Sequence, residues 1–329
     1  MTLLSGLLVA LQISFPAKPV KKDPPKAEIA SFDKVWERSP HNAFTDLIRY
    51  RERWYLAFRE ASSHVSPDGA IRILSSVDFE KWESFARLDY PVADLRDPKL
   101  AITPDNRLLL TTAGAMHPPS ETRHRSLAWF SRDGREWTAA ASIGDPDVWI
   151  WRVQWHQGKA LAMGYGTGND RFLRSYVSGN GKDFQVLNPT VLDNDYPNET
   201  SIVFLPSDTA LCLLRRDQGA KTAMLGKSRP PYRGWTWQDL GVQIGGPHMI
   251  RLPDGRIVAA VRLYDGKVRT ALCWLDAEEG TLKEFLTLPS GGDTSYAGLV
   301  YFNDLLHVSY YSSHEARTSI YLARVKIPR

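Results

Sequence analysis

The sequence predicts an all-β fold, a six-bladed β-propeller whose ring is closed by an N-terminal strand, from a repeat, a turn chemistry and a spare strand. The repeat is a short turn followed by an apolar run. It occurs as Arg53–Arg59 (RWYLAFR), Arg107–Ala113 (RLLLTTA), Lys159–Tyr165 (KALAMGY), Thr209–Arg215 (TALCLLR), Arg256–Arg262 (RIVAAVR) and Leu305–Tyr311 (LLHVSYY). The last residues of these windows are spaced by 54, 52, 50, 47 and 49 positions, a period typical of propellers and other repeat arrays. The turn chemistry follows the third strand of three repeats: SVDFEKW (76–82), SRDGREW (131–137) and SGNGKDF (178–184). In such a turn the Asp or Asn side chain bonds the turn's own amides, Gly accepts positive φ, and the aromatic plugs the gap between blades. The spare strand is IASFDKVWER, close to the N-terminus. The last repeat supplies only SYAGLVYF, LLHVSYY and TSIYLARVKI, so a strand from the other terminus completes it and removes an exposed sheet edge.

Residues 1–15 contain an apolar run, Leu3 to Phe15, too short to cross a membrane comfortably. The run reads as an export signal, with a short uncleaved anchor as the alternative because no Lys or Arg precedes it. Export to a periplasmic or extracellular space is therefore expected. Residues 16–27, rich in Pro and Lys, read as a linker. One propeller domain is expected over 28–329, with blades at 41–88, 94–144, 148–193, 196–245, 246–292 and 293–327.

Hydrophobic residues make up 43% of the 329 positions and there are 11 Trp, enough for a large packed core. Lys and Arg (41) only slightly outnumber Asp and Glu (37), which gives no support for a nucleic-acid partner. No membrane partner is expected beyond the possible anchor. Cys212 and Cys273 lie in apolar strands and read as buried free thiols. No His/Asp arrangement has convincing metal-ligand spacing and no phosphate-cradling glycine motif follows a strand, so neither metal nor cofactor is expected.

The chemistry is expected on one rim. Glu199 and Arg215 are separated by two strand-like runs and a Pro-Ser-Asp turn, so a hairpin makes them neighbours. By the same reasoning first strands bring His41, Asn42, Arg96, Asp97, Trp151, Arg152, His248 and Tyr296 to that rim, and second strands bring Arg59, Arg262 and Tyr311. Arginines at the ends of apolar runs are costly without anions. Arg59, Arg215 and Arg262 thus call for a carboxylate or sulfate ligand, or for a local acid such as Glu60, Asp97 or Asp217. A carboxylate such as Glu199 beside a tyrosine, Tyr296 or Tyr311, can take the phenol's proton and make it a nucleophile. Asp97 reads as a substrate-hydroxyl acceptor or a turn-former. His64, His248 and His314 are candidate proton donors, and the long loop Gly114–Arg125 is a candidate lid.

With these turns and this residue order, the chain resembles the sialidase superfamily, six-bladed propellers with Asp-box (BNR) turns. Glu199 and Arg215 in one blade, Arg262 in the next and Tyr296 opening the last follow the family's order. The resemblance implies that Tyr296 and Glu199 form a nucleophilic pair and that arginines clamp a sugar carboxylate. It places an acid/base aspartate in the loop SSHVSPDG, where Asp68 is the nearest candidate and His64 the alternative. The family's arginine on the first strand is missing from HNAFTDL, leaving Arg59 or Arg96 to substitute. The implied activity is exo-hydrolysis of a terminal acidic or polyhydroxylated sugar, with Arg59, Arg215, Arg262, Arg96, Asp97, Trp151, His248 and Tyr311 binding the carbohydrate. A polysaccharide lyase acting on uronates and a non-catalytic carbohydrate-binding propeller are the alternatives.

Overall fold

The computed structural model describes residues 26–328. The leader and most of the linker expected from the sequence lie outside them. The described residues form 23 strands and no helix. β1 (Glu28–Trp36) is followed by a four-stranded sheet of β2 (His41–Tyr50), β3 (Arg53–Ala61), β4 (Ala70–Ser76) and β5 (Glu83–Leu88). A second sheet contains β6 (Ala93–Ile102), β7 (Leu108–Met116), β8 (His124–Ser131) and β9 (Ala141–Ile143). A third contains β10 (Val148–His156), β11 (Lys159–Gly166), β12 (Leu173–Ser178) and β13 (Gln185–Leu192). A seven-stranded sheet follows: β14 (Pro197–Phe204), β15 (Ala210–Arg216), β16 (Thr222–Ser228), β17 (Thr236–Arg251), β18 (Ile257–Leu263), β19 (Arg269–Asp276) and β20 (Thr281–Thr287). The last sheet joins β21 (Thr294–Phe302), β22 (Leu305–Ser312) and β23 (Ser319–Lys326) to β1, which pairs with β23.

The seven-stranded sheet is where the observed organisation departs from the expected one. The sequence places a boundary between 245 and 246, but the 16-residue strand β17 runs straight through it. Its first part pairs with β16 as far as Gln243, and its second pairs with β18 from Ile244 onward. One strand therefore serves as the last strand of one meander and the first of the next.

Burial grades across each sheet. β3 is buried along almost its whole length, as are β11 and β18, because second strands have neighbouring sheets on both faces and read as continuous apolar runs. The fourth strands β5, β13 and β20 carry many exposed residues. The hydrophobic core is divided accordingly into layers between sheets. Ile71 and Ile73 pack with Leu108, Leu110 and Trp129, and Val258 and Ala260 pack with Leu306, Val308 and Tyr310. First strands meet one another in a closed order: β2 lies against β6, β6 against β10, β10 against β14, β14 against β17, β17 against β21, and β21 against β2.

The three Ser-x-Asp/Asn turns form as their chemistry requires. Asp78 Oδ1 accepts from the amides of Glu80 and Lys81, Asp133 Oδ1 from Arg135 and Glu136, and Asn180 Oδ1 from Lys182 and Asp183. Trp82 and Trp137 close their turns by donating indole N–H to Phe79 and Gly134 carbonyls. Two more turns share part of this geometry: Trp235 donates to the Tyr232 carbonyl, and Asp276 Oδ1 accepts from Glu278 and Glu279. Both cysteines are free and buried.

β1 is more than an edge cover. Phe32 stacks on Tyr321 at 5.3 Å, and Trp36 Nε1 donates to Glu60 Oε1 at 2.7 Å on the neighbouring sheet. Deleting residues 28–38 bares the β23 edge and this aromatic layer. The deletion is expected to abolish the cooperative thermal transition seen by circular dichroism, and an unchanged melting temperature would show that β1 is dispensable.

Candidate active site

Every first strand carries one extra residue at the same level. Pairing jumps from Ala43 to Asp46 in β2, Arg96 to Lys99 in β6, Ile150 to Val153 in β10, Pro197 to Thr200 in β14, Gly245 to His248 in β17 and Ser295 to Gly298 in β21. Each jump crosses three residues against two on the partner strand, which is a β-bulge. The bulged residues are Phe44, Asp97, Trp151, Asn198–Glu199, Gly246 and Tyr296. Four of them have left-handed backbone: Phe44 (φ 60°), Asp97 (φ 52°), Gly246 (φ 56°) and Tyr296 (φ 50°). For bulky Phe and Tyr this conformation is strained, and strain of this kind gathers at functional sites.

Tyr296 and Glu199 meet at the centre. The Tyr296 hydroxyl donates to Glu199 Oε1 at 2.6 Å, and Arg215 Nη1 donates to both, at 2.9 Å to Oε1 and 3.0 Å to the phenol oxygen. The Gly246 amide donates to Glu199 Oε2 at 2.7 Å. A Cβ on Gly246 would meet the Tyr296 ring at 2.8 Å, so only glycine lets the amide and the ring share this space. Burial pushes the Glu199 carboxyl up, but Arg215, the Tyr296 hydroxyl and the Gly246 amide together outweigh it and hold the group below its ordinary value. Burial, then the Glu199 charge, drives the Tyr296 phenol well above its ordinary value. The Tyr296 ring is set by Phe44 (5.2 Å, edge-on), Trp151 (5.8 Å) and the Arg262 guanidinium (5.2 Å from its centre).

A second cluster adjoins the first. Asp293 Oδ1 accepts from the Tyr311 hydroxyl at 2.6 Å and from Arg262 Nη2 at 3.0 Å, while Oδ2 faces His64 Nδ1 at 2.7 Å and His41 Nε2 at 3.4 Å. Burial raises the Asp293 carboxyl, but the bonds from His41, His64 and Tyr311 and the Arg262 charge reverse this and hold it ionised. His41, His64 and Asp293 bring three ligand atoms within 4.8 Å of one another. Arg262 already pairs with Asp293 in this group. Arg215 Nη2 and Arg262 Nη1 have no hydrogen-bond partner among the described residues, whereas Arg215 Nε binds Asp217 and Arg262 Nε binds the Thr294 carbonyl. The arginine side chains at 96, 215 and 262 retain 17%, 18% and 13% exposure, so each presents an open edge.

Below the bulges lies a buried charged layer. Both Arg152 amino groups donate to Asp46 at 3.0 Å, and the Leu100 amide donates to Asp46 Oδ2 at 2.6 Å. Lys99 Nζ sits 4.6 Å from the Trp151 ring centre, and burial pushes its ammonium down to about 8. His248 Nδ1 lies 3.0 Å from the Ala297 carbonyl, and burial, reinforced by Arg152, pushes its ring down to about 3. It is neutral at physiological pH. Asp97 is buried, Oδ1 has no partner, and burial with the Glu199 charge pushes its carboxyl up to about 6 against Lys99 and Arg96.

Several residues expected at the site have their side chains engaged within the protein. Arg59 is fully buried and spends its donors on Asp94 Oδ1, the Ser63 and Ser66 carbonyls and Ser66 Oγ. It holds the 62–69 loop, with its donors engaged inside the protein. Asp68 caps that loop by accepting from the Ser62 amide and hydroxyl, and the bonds from Ser66 and Ser62 keep its carboxyl low. It borders a separate depression with Trp36, Glu60 and Arg72. Tyr311, Trp151 and His248 are buried and pack or bond around Tyr296 and its neighbours: Tyr311 bonds Asp293, Trp151 packs on the Tyr296 ring and His248 faces the Ala297 carbonyl. The loop expected as a lid is tied down: Arg123 and His124 amides donate to Asp147 Oδ1, and His117 Nε2 lies 2.9 Å from the Pro67 carbonyl. Asp293, Phe44 and Lys99 were not marked by any apolar window. A signal was available in Asp97-Pro98 and Gly246-Pro247, since a proline within an inner strand marks a bulge.

No protein-family model and no curated protein matches the sequence. Solved structures do match in shape. A Dyadobacter fermentans protein of unknown function aligns with TM-score 0.81 at 20% identity, covering 92% of this chain and 100% of that one. A Trypanosoma rangeli sialidase in complex with sialic acid aligns with TM-score 0.66 at 10% identity, covering 91% of this chain and 59% of that one. The chain thus spans less than two thirds of that enzyme. A Penicillium chrysogenum α-L-arabinanase complexed with arabinobiose aligns with TM-score 0.62 at 14% identity, covering 92% and 98%. At these identities the likeness is one of fold: this chain has an all-β architecture like that of the sialidase and the arabinanase.

The raised Asp97 carboxyl has a thermodynamic consequence. Its folded value lies above its unfolded value, so the folded state holds the proton longer and stability falls as pH rises from about 4 through about 6. Asp97→Asn is expected to gain on the wild type by on the order of 3 kcal/mol between pH 4 and pH 7, read from urea midpoints. A stability difference that does not change with pH would show that Asp97 is ionised without penalty.

Proposed function

We propose that the chain is a six-bladed β-propeller glycosidase that removes a terminal acidic or polyhydroxylated sugar. In this reading β14–β17 and β17–β20 are two blades sharing a strand, residues 28–329 are one domain, and residues 1–15 direct export or form a short anchor. The observation that carries it is the Tyr296–Glu199 hydrogen bond with Arg215 Nη1 on both oxygens. Burial and the Glu199 charge disfavour the free phenolate, so the phenol proton passes to Glu199 as the phenol oxygen attacks the anomeric carbon. Arg215 then bonds the oxygen on which charge develops. Using a neutral phenol in place of a carboxylate spares an anionic sugar the repulsion of a charged nucleophile.

Arg215 Nη2, Arg262 Nη1 and the exposed edge of Arg96 supply donors for a sugar carboxylate or a set of hydroxyls. Asp97, with an unpartnered oxygen in a bulge, is the acceptor for a sugar hydroxyl. The sialidase and arabinanase whose folds this chain shares lend the reaction class a precedent by analogy.

The test is turnover of a fluorogenic sialoside and of fluorogenic glucuronide and arabinoside by the wild type, Tyr296→Phe and Glu199→Gln. Release from one of them is expected, with a loss of ~10³-fold in Tyr296→Phe and a smaller one in Glu199→Gln. Products absorbing in the ultraviolet would identify a lyase instead, and binding without turnover would identify a lectin-like propeller.

A further inference from the structure

We propose that His64, oriented by Asp293, is the general acid/base of this site. The inference rests on the glycosidase reading and adds the group that reading lacks, since Asp68 faces elsewhere. His64 lies in the 62–69 loop with its side chain half exposed. Its ring packs edge-on against Phe44 at 5.3 Å, and Phe44 packs edge-on against Tyr296 at 5.2 Å. The imidazole therefore stands one ring away from the nucleophile on the open side of the site.

The tautomer is set by Asp293. That carboxylate is held ionised and lies 2.7 Å from His64 Nδ1, so Nδ1 must carry the proton. Nε2 is left with no protein partner among the described residues, free to give or take a proton at the substrate. The charged and titratable groups around the ring are Asp293, His41 at 5.3 Å between ring centres, and, through Asp293, Arg262 and Tyr311. Asp293 is a positioning residue: it fixes the ring as the carboxylate of a Ser-His-Asp triad fixes its histidine.

The steps balance. In the first, His64 Nε2–H protonates the glycosidic oxygen as its bond to the anomeric carbon breaks. Tyr296 attacks that carbon, and the phenol proton passes to Glu199. In the second, His64 Nε2 takes a proton from water, whose oxygen displaces Tyr296, and Glu199 returns the proton to the phenol. A histidine acid also differs from a carboxylic acid in charge. It is cationic when it donates and neutral afterwards, which complements an anionic sugar.

The test compares leaving groups. Dinitrophenyl and alkyl glycosides of sialic acid, glucuronic acid and arabinose are given to the wild type, His64→Ala, His64→Gln and Asp293→Asn. The His64 variants are expected to release the first equivalent of dinitrophenol within about tenfold of the wild-type rate, because that leaving group needs no proton, to turn over slowly afterwards for want of a base, and to lose ~10²–10⁴-fold on the alkyl glycoside. Added azide is expected to restore His64→Ala turnover with glycosyl azide as product. Asp293→Asn should follow the same leaving-group pattern, which a merely structural role would not produce. Equal losses on both leaving groups, or none, overturn the assignment of His64 while the glycosidase reading stands. An inert wild type on the whole panel overturns both.

Discussion

The bulge at one level of all six inner strand segments is the constraint on which the site depends. A regular strand sends successive side chains to opposite faces, so neighbouring residues could not all turn toward a common centre. One inserted residue breaks the alternation, and Phe44, Trp151 and Glu199 gather around Tyr296 there. The left-handed backbone at Phe44 and Tyr296 is the local cost, and the surrounding sheets cover it because each inner strand is clamped between two others. Gly246 is the complementary case. There the inward residue has no side chain, and its amide faces Glu199 instead.

Charge is balanced within the protein before any ligand arrives. Arg215 is shared by Glu199 and Asp217, Arg262 rests on Asp293, Arg96 on Asp94, and Arg152 on Asp46. Each pairing uses only part of a guanidinium, so burial is compensated while one edge stays open. The paired acids keep these arginines rigid, which lowers the entropy lost on binding an anion. Asp97 and Lys99 are the exceptions, two buried groups two residues apart with no ion pair among the described residues to hold them and with pKa values displaced toward each other. They are the groups whose charge state is most responsive to what occupies the centre.

Strand order, the repeat and the Glu199–Arg215 pair were legible because each follows from local pattern, while Tyr296 beside Glu199 was implied by the family resemblance. Apolar windows mark second strands, a Pro-Ser-Asp turn makes a hairpin, and a hairpin brings position 199 beside 215. What depends on register was less legible. A bulge shifts facing by one residue, so Tyr296 bonds Glu199 while Tyr311 bonds Asp293. Arg59 was misread because its apolar window equals those of Arg215 and Arg262. Its acid, Asp94, comes from the next sheet and cannot be inferred from spacing. Asp293 escaped notice in a Gly-Gly-Asp turn that resembles an ordinary connection, although its neighbours come from β2, β18, β22 and the 62–69 loop. The boundary expected between 245 and 246 is no break: Gly246 serves the bulge and the strand continues.

The way Arg59 holds the 62–69 loop separates position from identity in this site. Its guanidinium grips the Ser63 and Ser66 carbonyl oxygens and anchors them to Asp94, so much of the loop's placement comes from its backbone. The side chain at position 64 is presented at the rim whatever its chemistry. A lineage carrying this scaffold can therefore exchange the residue offered to the ligand by a single substitution without rebuilding the loop, and divergence of activity among proteins of this shape needs no change of fold.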